Sequence, residues 1–153
     1  MSIFDRHRPT ASQLRTVADR RFDDAKYLLE SRRNKYANGS MYLVGFVVEC
    51  RLKARLVETR PEVVHHDARA GEEQRRLRAL LFGHDLDGLL AAVPEVIRSI
   101  QRDTSEETAR RLIRHLQQVC GTWSIFARYS SRQESIQEAR IFFQKVAELR
   151  SWL

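Results

Sequence analysis

Apolar residues recur every three or four positions through most of this chain, which is the spacing of one face of an α-helix. The pattern begins after Thr10, and Thr10 with Gln13 fits a capping box that starts a first helix running to about Arg33. The apolar stripe of this helix comprises Leu14, Val17, Ala18, Phe22, Ala25, Leu28 and Leu29. Asn34 to Gly39 then predicts a turn with Asn38–Gly39 as the helix breaker, so the next helix should run antiparallel to the first.

The longest apolar run, Ser40 to Thr59, predicts the central helix of the fold. Met41 to Val48 is apolar on nearly every side, which is typical of a helix buried by several neighbours, and the run is too short for a membrane span of about 20 apolar residues. Gly45 within it indicates that another helix approaches closely. Glu49 lies in the middle of the run, and Lys53 follows one turn later in the favourable orientation for an ion pair. We therefore expect Glu49 to be buried and paired.

Shorter helices are predicted in the middle of the chain. Pro61 ends the central helix, and the polar segment from there to about Gly83 offers one short helical pattern over Gln74 to Phe82. Asp85 is a suitable N-cap for the helix that follows, and Pro94 restarts the chain into another amphipathic stretch.

Two longer helices complete the chain, and each follows a predicted capping box. The first box is Thr104 with Glu107, and Gly121 should end its helix. The second box is Ser131 with Glu134. The final helix presents an apolar stripe of Ile136, Ala139, Phe143, Val146, Leu149 and Leu153.

Composition narrows the fold class. The 153 residues include only 6 Gly and 3 Pro, and runs of alternating β-branched residues are few. The sequence therefore predicts an all-α protein, an up-and-down four-helix bundle with one or two short additional helices, in a single domain over 1–153 with a short N-terminal arm over 1–9. Cys50 and Cys120 lie in apolar patterns and are expected to be reduced core residues of a cytoplasmic protein, because the N-terminus has no apolar export signal.

Charge points to an anionic partner. The formal net charge is +7, and 23 of the 27 basic residues are arginine. The planar guanidinium suits phosphate, so a nucleic acid or a nucleotide is one interpretation. The other is that these arginines are solvated on helix faces, because they are scattered among acidic residues and form no dense run.

Several motifs together resemble a known family. They are YLVGFVVECRLKARL over Tyr42 to Leu56, His84-Asp85-Leu86 followed by Leu89-Leu90, and Trp123 with Arg128-Tyr129-Ser130. Their order and spacing, over about residues 12–152, resemble the HEPN domain (higher eukaryotes and prokaryotes nucleotide-binding). The first motif is similar to the family pattern YxxGYxxExxLKALL, and Arg128-Tyr129-Ser130 is similar to its RYP signature with the proline replaced.

The resemblance implies a bundle of four or five helices, often a homodimer, that works on RNA or nucleotides without a cofactor. Many members belong to bacterial toxin–antitoxin or phage-defence systems, some beside a nucleotidyltransferase or antitoxin partner. Active members are metal-independent ribonucleases with an Arg-x(4–6)-His motif, usually near the last long helix. No histidine follows Arg128 at that distance. The first interpretation is therefore a binding or regulatory module with degenerate catalysis.

Two alternatives stay open, an active ribonuclease and a protein-interaction module that docks an acidic partner. Arginine can stabilise the phosphorane charge and histidine can transfer protons, so an Arg–His pair would suffice for cleavage. Three pairs have the required spacing: Arg60–His65, Arg78–His84 and Arg110–His115. Arg110–His115 is the best catalytic candidate because it lies on a predicted helix, where Arg111 and Arg114 are candidates for binding phosphate.

The second candidate site surrounds Glu49. One interpretation is that Glu49 ties the bundle together through Lys53, Arg128 or Tyr129. The other is that these residues line a polar binding pocket between helices. His65-His66-Asp67 has metal-ligating residue types, but adjacent histidines rarely converge on one ion, so no metal site is predicted.

Overall fold

The computed structural model describes residues 8–153, apart from the side chains of Phe126 and Arg128. Within that range the protein consists of helices and connecting loops, which confirms the predicted all-α fold class. The α-helices are α1 (Ala11–Glu30), α2 (Ala37–Thr59), α3 (Glu72–Phe82), α4 (Leu86–Ala92), α5 (Glu95–Asp103), α6 (Glu106–Thr122) and α7 (Ile136–Leu149). Short 3-10 helices occupy Asn34–Tyr36, Pro61–Val64 and Ile125–Tyr129. Residues 1–7, most of the predicted arm, lie outside the described residues.

The long helices α1, α2, α6 and α7 form the bundle, and α2 lies at its centre. It packs against α1, α4 and α7 and against all three 3-10 helices. Val44, Val47, Val48 and Leu52 are fully buried in it. Met41, Tyr42, Leu43 and Phe46 are only partly buried, so the all-round burial expected of Met41 to Val48 is confirmed only in part. The three shorter helices α3, α4 and α5 connect α2 to α6.

Gly45 lets the side chain of Trp123 approach α2 closely. A Cβ atom at this position would overlap the indole ring of Trp123, which follows the end of α6. The indole is 8% exposed and its Nε1 donates a hydrogen bond of 3.0 Å to the carbonyl oxygen of Tyr42. The glycine is therefore needed for a close approach, but the group that approaches is the Trp123 side chain and not the helix that the sequence predicted. Trp123 belongs to the core.

The helix starts agree only in part with the predicted caps. The capping box of Thr10 with Gln13 is present, and the Asp85 side chain accepts the amide hydrogen of Gly88 at 2.9 Å. Ser105, not Thr104, caps α6, because the Thr104 hydroxyl instead donates to a carbonyl oxygen of the preceding helix. The capping box predicted at Thr104 with Glu107 is therefore wrong in position, and so is the one predicted before the final helix.

The box expected at Ser131 with Glu134 lies four residues later, at Ser135 with Glu138. The predicted breaker Asn38–Gly39 lies inside the first turns of α2, since the 3-10 helix at Asn34–Tyr36 already reverses the chain. Asn38 is held there by long-range bonds, because its side chain donates to the Arg132 carbonyl and accepts from the Glu134 amide.

A charged cluster joins three helices at one end of the bundle. Asp19 of α1 accepts hydrogen bonds from Arg51 of α2 and from Arg150 after α7. Burial raises the pKa of Asp19, but the hydrogen bonds and charges of the two guanidinium groups outweigh it, so its pKa lies below the usual 3.8. The Arg150 guanidinium also lies 3.9 Å above the ring of Phe22, which stacks on Phe143. These arginines stabilise the fold and are occupied.

Cys50 and Cys120 are both free and buried. Burial, followed by the neighbouring carboxylate of Glu49, raises the pKa of Cys50 to about 12. Burial, with a smaller effect of Asp87, likewise raises that of Cys120 to about 12. Over residues 8–153, no helix has both the length and the apolar character that crossing a membrane requires.

Candidate functional site

Glu49 is the most deeply buried charged residue of α2, with none of its surface exposed to solvent. Placing an ionised carboxylate in a helical core costs several kcal/mol unless charged and hydrogen-bonding partners compensate. Two partners do so here. The Lys53 ammonium, one turn later, donates to Glu49 Oε1 at 2.6 Å, which confirms the predicted pair.

Lys53 is itself buried and holds a second element in place. Its Nζ also donates to the carbonyl oxygen of Gly83 at 2.6 Å. Gly83 is the residue at which α3 ends, so this bond satisfies a carbonyl at a helix terminus and fixes the α3–α4 connection against α2.

His84 is the second partner of Glu49, and the sequence did not reveal it. Its Nδ1 lies 3.1 Å from both carboxylate oxygens of Glu49. His84 stands directly before the Asp85 N-cap, as expected, and the Lys53–Gly83 bond positions its backbone. The sequence shows only a histidine at the start of a short helix. Nothing in that pattern indicates a contact with Glu49, which lies 35 positions earlier.

The geometry fixes the imidazole in one orientation. A carboxylate only accepts hydrogen bonds, so the ring nitrogen that faces Glu49 carries a hydrogen. The His84 side chain is 41% exposed, which leaves the ring accessible to solvent. A carboxylate that orients a histidine so that its other nitrogen can accept a proton is the arrangement of a general base. We call Glu49, Lys53 and His84 the Glu49 cluster.

The predicted partners from the corner after α6 are not part of this cluster. Tyr129 lies on the surface with 72% of its side chain exposed, and within the described chain the partners of Glu49 are Lys53 and His84. The expected tie between Glu49 and Tyr129 is therefore wrong, because the 3-10 helix Ile125–Tyr129 places this ring at the surface. The Arg128 side chain lies outside the described residues, so its predicted role stays a prediction.

Arg110 and His115 lie on α6, but they occupy different faces of it. Five residues advance an α-helix by about 500°, which places these two side chains about 140° apart. Arg110 is exposed and lies 3.6 Å from Glu106, whereas His115 is mostly buried with its Nδ1 3.5 Å from Glu148 of α7. The helix thus does not bring this pair together as a catalytic unit.

A second polar site lies beside α3. Residues 65–70 and α3 enclose a cleft of about 670 Å³, lined among others by His65, His66, Arg75, Arg78 and Phe82. We call it the α3 cleft. Two of the three Arg–His pairs with the family spacing have one member in this cleft, namely His65 of Arg60–His65 and Arg78 of Arg78–His84. Their partners lie elsewhere, because Arg60 lies near Glu73 and His84 faces Glu49.

The α3 cleft has no metal-binding geometry. Within the part of the chain that the structure describes, no group of three or more His, Cys, Asp or Glu side chains could hold a metal ion. Asp67, the acidic residue of the cleft, accepts the backbone amide hydrogen of Arg69 at 2.8 Å and so closes a local turn. The cleft therefore offers cations and hydrogen-bond donors.

The arginines fall into two groups by their partners. Those of the bundle end, Arg15, Arg51 and Arg150, are bound to carboxylates or backbone carbonyls. Others have no carboxylate within 4 Å among the described residues, and they include five on α3 and α6: Arg75, Arg76, Arg78, Arg111 and Arg114. These five guanidinium groups are available to an external anion.

No family model, no curated protein and no solved structure matches the chain. The resemblance to HEPN domains accordingly rests on the motifs of the sequence.

Proposed function

We propose that this chain is an RNA- or nucleotide-binding module of the HEPN type that works in a bacterial toxin–antitoxin or phage-defence setting. The observation that carries the proposal is the set of five arginines on α3 and α6 that no carboxylate neutralises. A folded chain gains little from such side chains, whereas the phosphates of a nucleic acid bind them and release counterions. The HEPN resemblance supplies the biological setting.

RNA binding at different salt concentrations tests the proposal. Fluorescence anisotropy with a labelled single-stranded RNA should show affinity that falls steeply with salt, with a slope of about −0.7 for each phosphate contact. Replacing Arg111 and Arg114 together by glutamine should weaken binding and reduce the slope by about 1.4.

The matched control removes the same charge elsewhere on the surface. Arg21 and Arg102 are exposed and each lies beside an aspartate, so their double glutamine variant should bind RNA almost as the wild type does. If the wild type binds no RNA, or if both double variants weaken it equally, the proposal fails. Binding of an acidic protein without RNA binding would instead favour the interaction module.

The Glu49 cluster favours a second candidate function, metal-independent RNA cleavage. The oriented His84 would take the proton of a 2′-hydroxyl, whose oxygen attacks phosphorus while the bond to the 5′-oxygen breaks. The departing 5′-oxygen takes up a proton from water, which leaves a 2′,3′-cyclic phosphate and a 5′-hydroxyl. This assignment moves the candidate base from His115 to His84.

An RNA cleavage assay in the presence of a chelator tests this candidate. We expect His84→Ala to abolish cleavage and His115→Ala to preserve it, with folding of both variants checked by circular dichroism. Cleavage that survives in His84→Ala and is lost in His115→Ala would restore the Arg110–His115 assignment. The resemblance further implies a homodimer, which light scattering of the purified chain would test.

A further inference from the structure

We propose that the α3 cleft binds a terminal phosphate monoester together with the nucleoside that carries it, either as the phosphorylated end of an RNA strand or as a free nucleotide. The inference rests on the proposed function, because it assigns the place and chemical form in which the RNA or nucleotide is recognised. Its volume of about 670 Å³ is that of a pocket for one small ligand. The cleft therefore suits one nucleotide and excludes a duplex.

Arg78 provides a guanidinium that is held before any ligand arrives. Its Nη1 donates to the carbonyl oxygen of Val63 at 3.1 Å, and its Cζ lies 4.7 Å from the centre of the Phe82 ring. These two contacts fix the plane of the group, while its other N–H donors stay without a carboxylate partner. A fixed, planar, charged fork is the arrangement that binds phosphate with the least loss of side-chain freedom.

Additional nitrogen-bearing side chains surround the same space. Arg75 lies one turn before Arg78 on α3 and also lines the cleft. From the opposite wall come His65 and His66, and a guanidinium nitrogen of Arg8 donates to His65 Nδ1 at 2.7 Å. Opposed to these groups is the carboxylate of Asp67, which is engaged with the backbone of its own turn. The cleft is thus predominantly a site for an anion.

The number of donors favours a monoester over an internal phosphodiester. A terminal phosphate carries a charge of about −1.5 to −2 at pH 7 and three strong acceptor oxygens, whereas an internal one carries a single charge. The terminal phosphate has enough charge and acceptor oxygens to bind all the donors gathered in this small cleft, whereas an internal phosphodiester would bind only some of them. We therefore expect the cleft to distinguish the end of a strand from its interior.

Phe82 supplies a platform for a base. It is the last residue of α3, it is 50% exposed, and it lines the cleft beside the Arg78 guanidinium. An exposed aromatic ring next to bound phosphate is a stacking surface for any base, because every base has a flat face. Phosphate recognition by Arg75 and Arg78 and stacking on Phe82 together define a nucleotide and exclude inorganic phosphate as the preferred ligand.

The test compares labelled RNA oligomers that differ only in their ends, together with AMP, adenosine and inorganic phosphate as competitors. The oligomer with a 5′- or 3′-phosphate should bind at least about tenfold more tightly than the one with two hydroxyl ends, as expected of charge-assisted hydrogen bonds. Arg75→Gln and Arg78→Gln should abolish that preference. Arg76→Gln, adjacent on α3 and outside the cleft, should keep it.

Each outcome has a separate meaning. Equal affinity for all ends, with RNA binding intact, overturns the cleft assignment and leaves the proposed function standing. Binding of AMP that needs Arg75, without any RNA binding, supports the cleft for a free nucleotide and refutes RNA as its source. Inorganic phosphate that competes as well as AMP refutes the role of Phe82. Because Arg78 also bonds to Val63, Arg75→Gln gives the decisive result if Arg78→Gln does not fold.

Discussion

Removing one member of the Glu49–Lys53 pair should destabilise the protein far more than removing both. Glu49 is fully buried and Lys53 nearly so, and their charged atoms are 2.6 Å apart. Breaking a buried ion pair from one side costs about 3–5 kcal/mol, because the remaining charge stays in the core. Whole domains are stable by only about 5–15 kcal/mol. Glu49→Leu or Lys53→Met alone should therefore remove a large part of the stability.

The double variant Glu49→Leu with Lys53→Met removes both charges and keeps the side-chain volume. Replacement of a buried ion pair by apolar residues of similar size is often neutral or stabilising. His84 would lose its carboxylate in this variant, but its ring is already 41% exposed and can bond to water. We therefore expect the double variant to be more stable than either single variant.

Urea unfolding and thermal unfolding, both followed by circular dichroism at pH 7, measure the change in the free energy of unfolding and in Tm. A loss of 3–5 kcal/mol corresponds to a fall in Tm of about 6–20 °C for a domain of this size. Glu106→Ala is the control, because it removes a carboxylate from a pair that is largely exposed and should change stability by less than about 1 kcal/mol. An unchanged Tm in Glu49→Leu, or a double variant as unstable as the sum of its two single substitutions, would refute the reasoning.

Three further variants or conditions test other parts of the fold. Burial raises the pKa of both cysteine thiols to about 12, so neither should react with a thiol reagent at pH 8 until denaturant is added. The contribution of the two protonated thiols to stability should be complete below pH 9.0 and lost as the pH rises through about 12. Ser135→Ala should cost about 1 kcal/mol in unfolding experiments, whereas Ser131→Ala should cost almost nothing. Asp19→Asn should lower the Tm at pH 7 and have a smaller effect at pH 3, since the lowered pKa of Asp19 stabilises the fold above 3.8 and this contribution is lost as pH falls through its folded-state value.

The parts of the fold that follow from local chemistry could be predicted from the sequence. Helical spacing gave the all-α class, and the cap at Thr10 and the pair of Glu49 with Lys53 involve residues three or four positions apart. The caps at Thr104 and Ser131 were wrong for a different reason. Several hydroxyl residues occur near each helix start, and packing of the whole bundle decides which of them becomes the N-cap.

The candidate sites depended on contacts between distant parts of the chain, which spacing does not contain. His84 meets Glu49 where Lys53 bonds the end of α3 to α2. The α3 cleft likewise needs residues 65–70 to fold back on α3. Spacing on one helix, by contrast, favoured Arg110 with His115, although a separation of five residues puts the two on different faces.

The contact of Gly45 with the Trp123 indole also constrains how this sequence can evolve. A methyl group at position 45 cannot share the space with an indole at position 123, so position 45 is not free to change while the tryptophan is present. Homologous chains that keep the tryptophan should keep the glycine, and those with a larger residue at 45 should carry a smaller one at 123. Covariation of these two positions, which are 78 residues apart, would therefore mark descent with the same helix packing even where the charged residues of the surface have diverged.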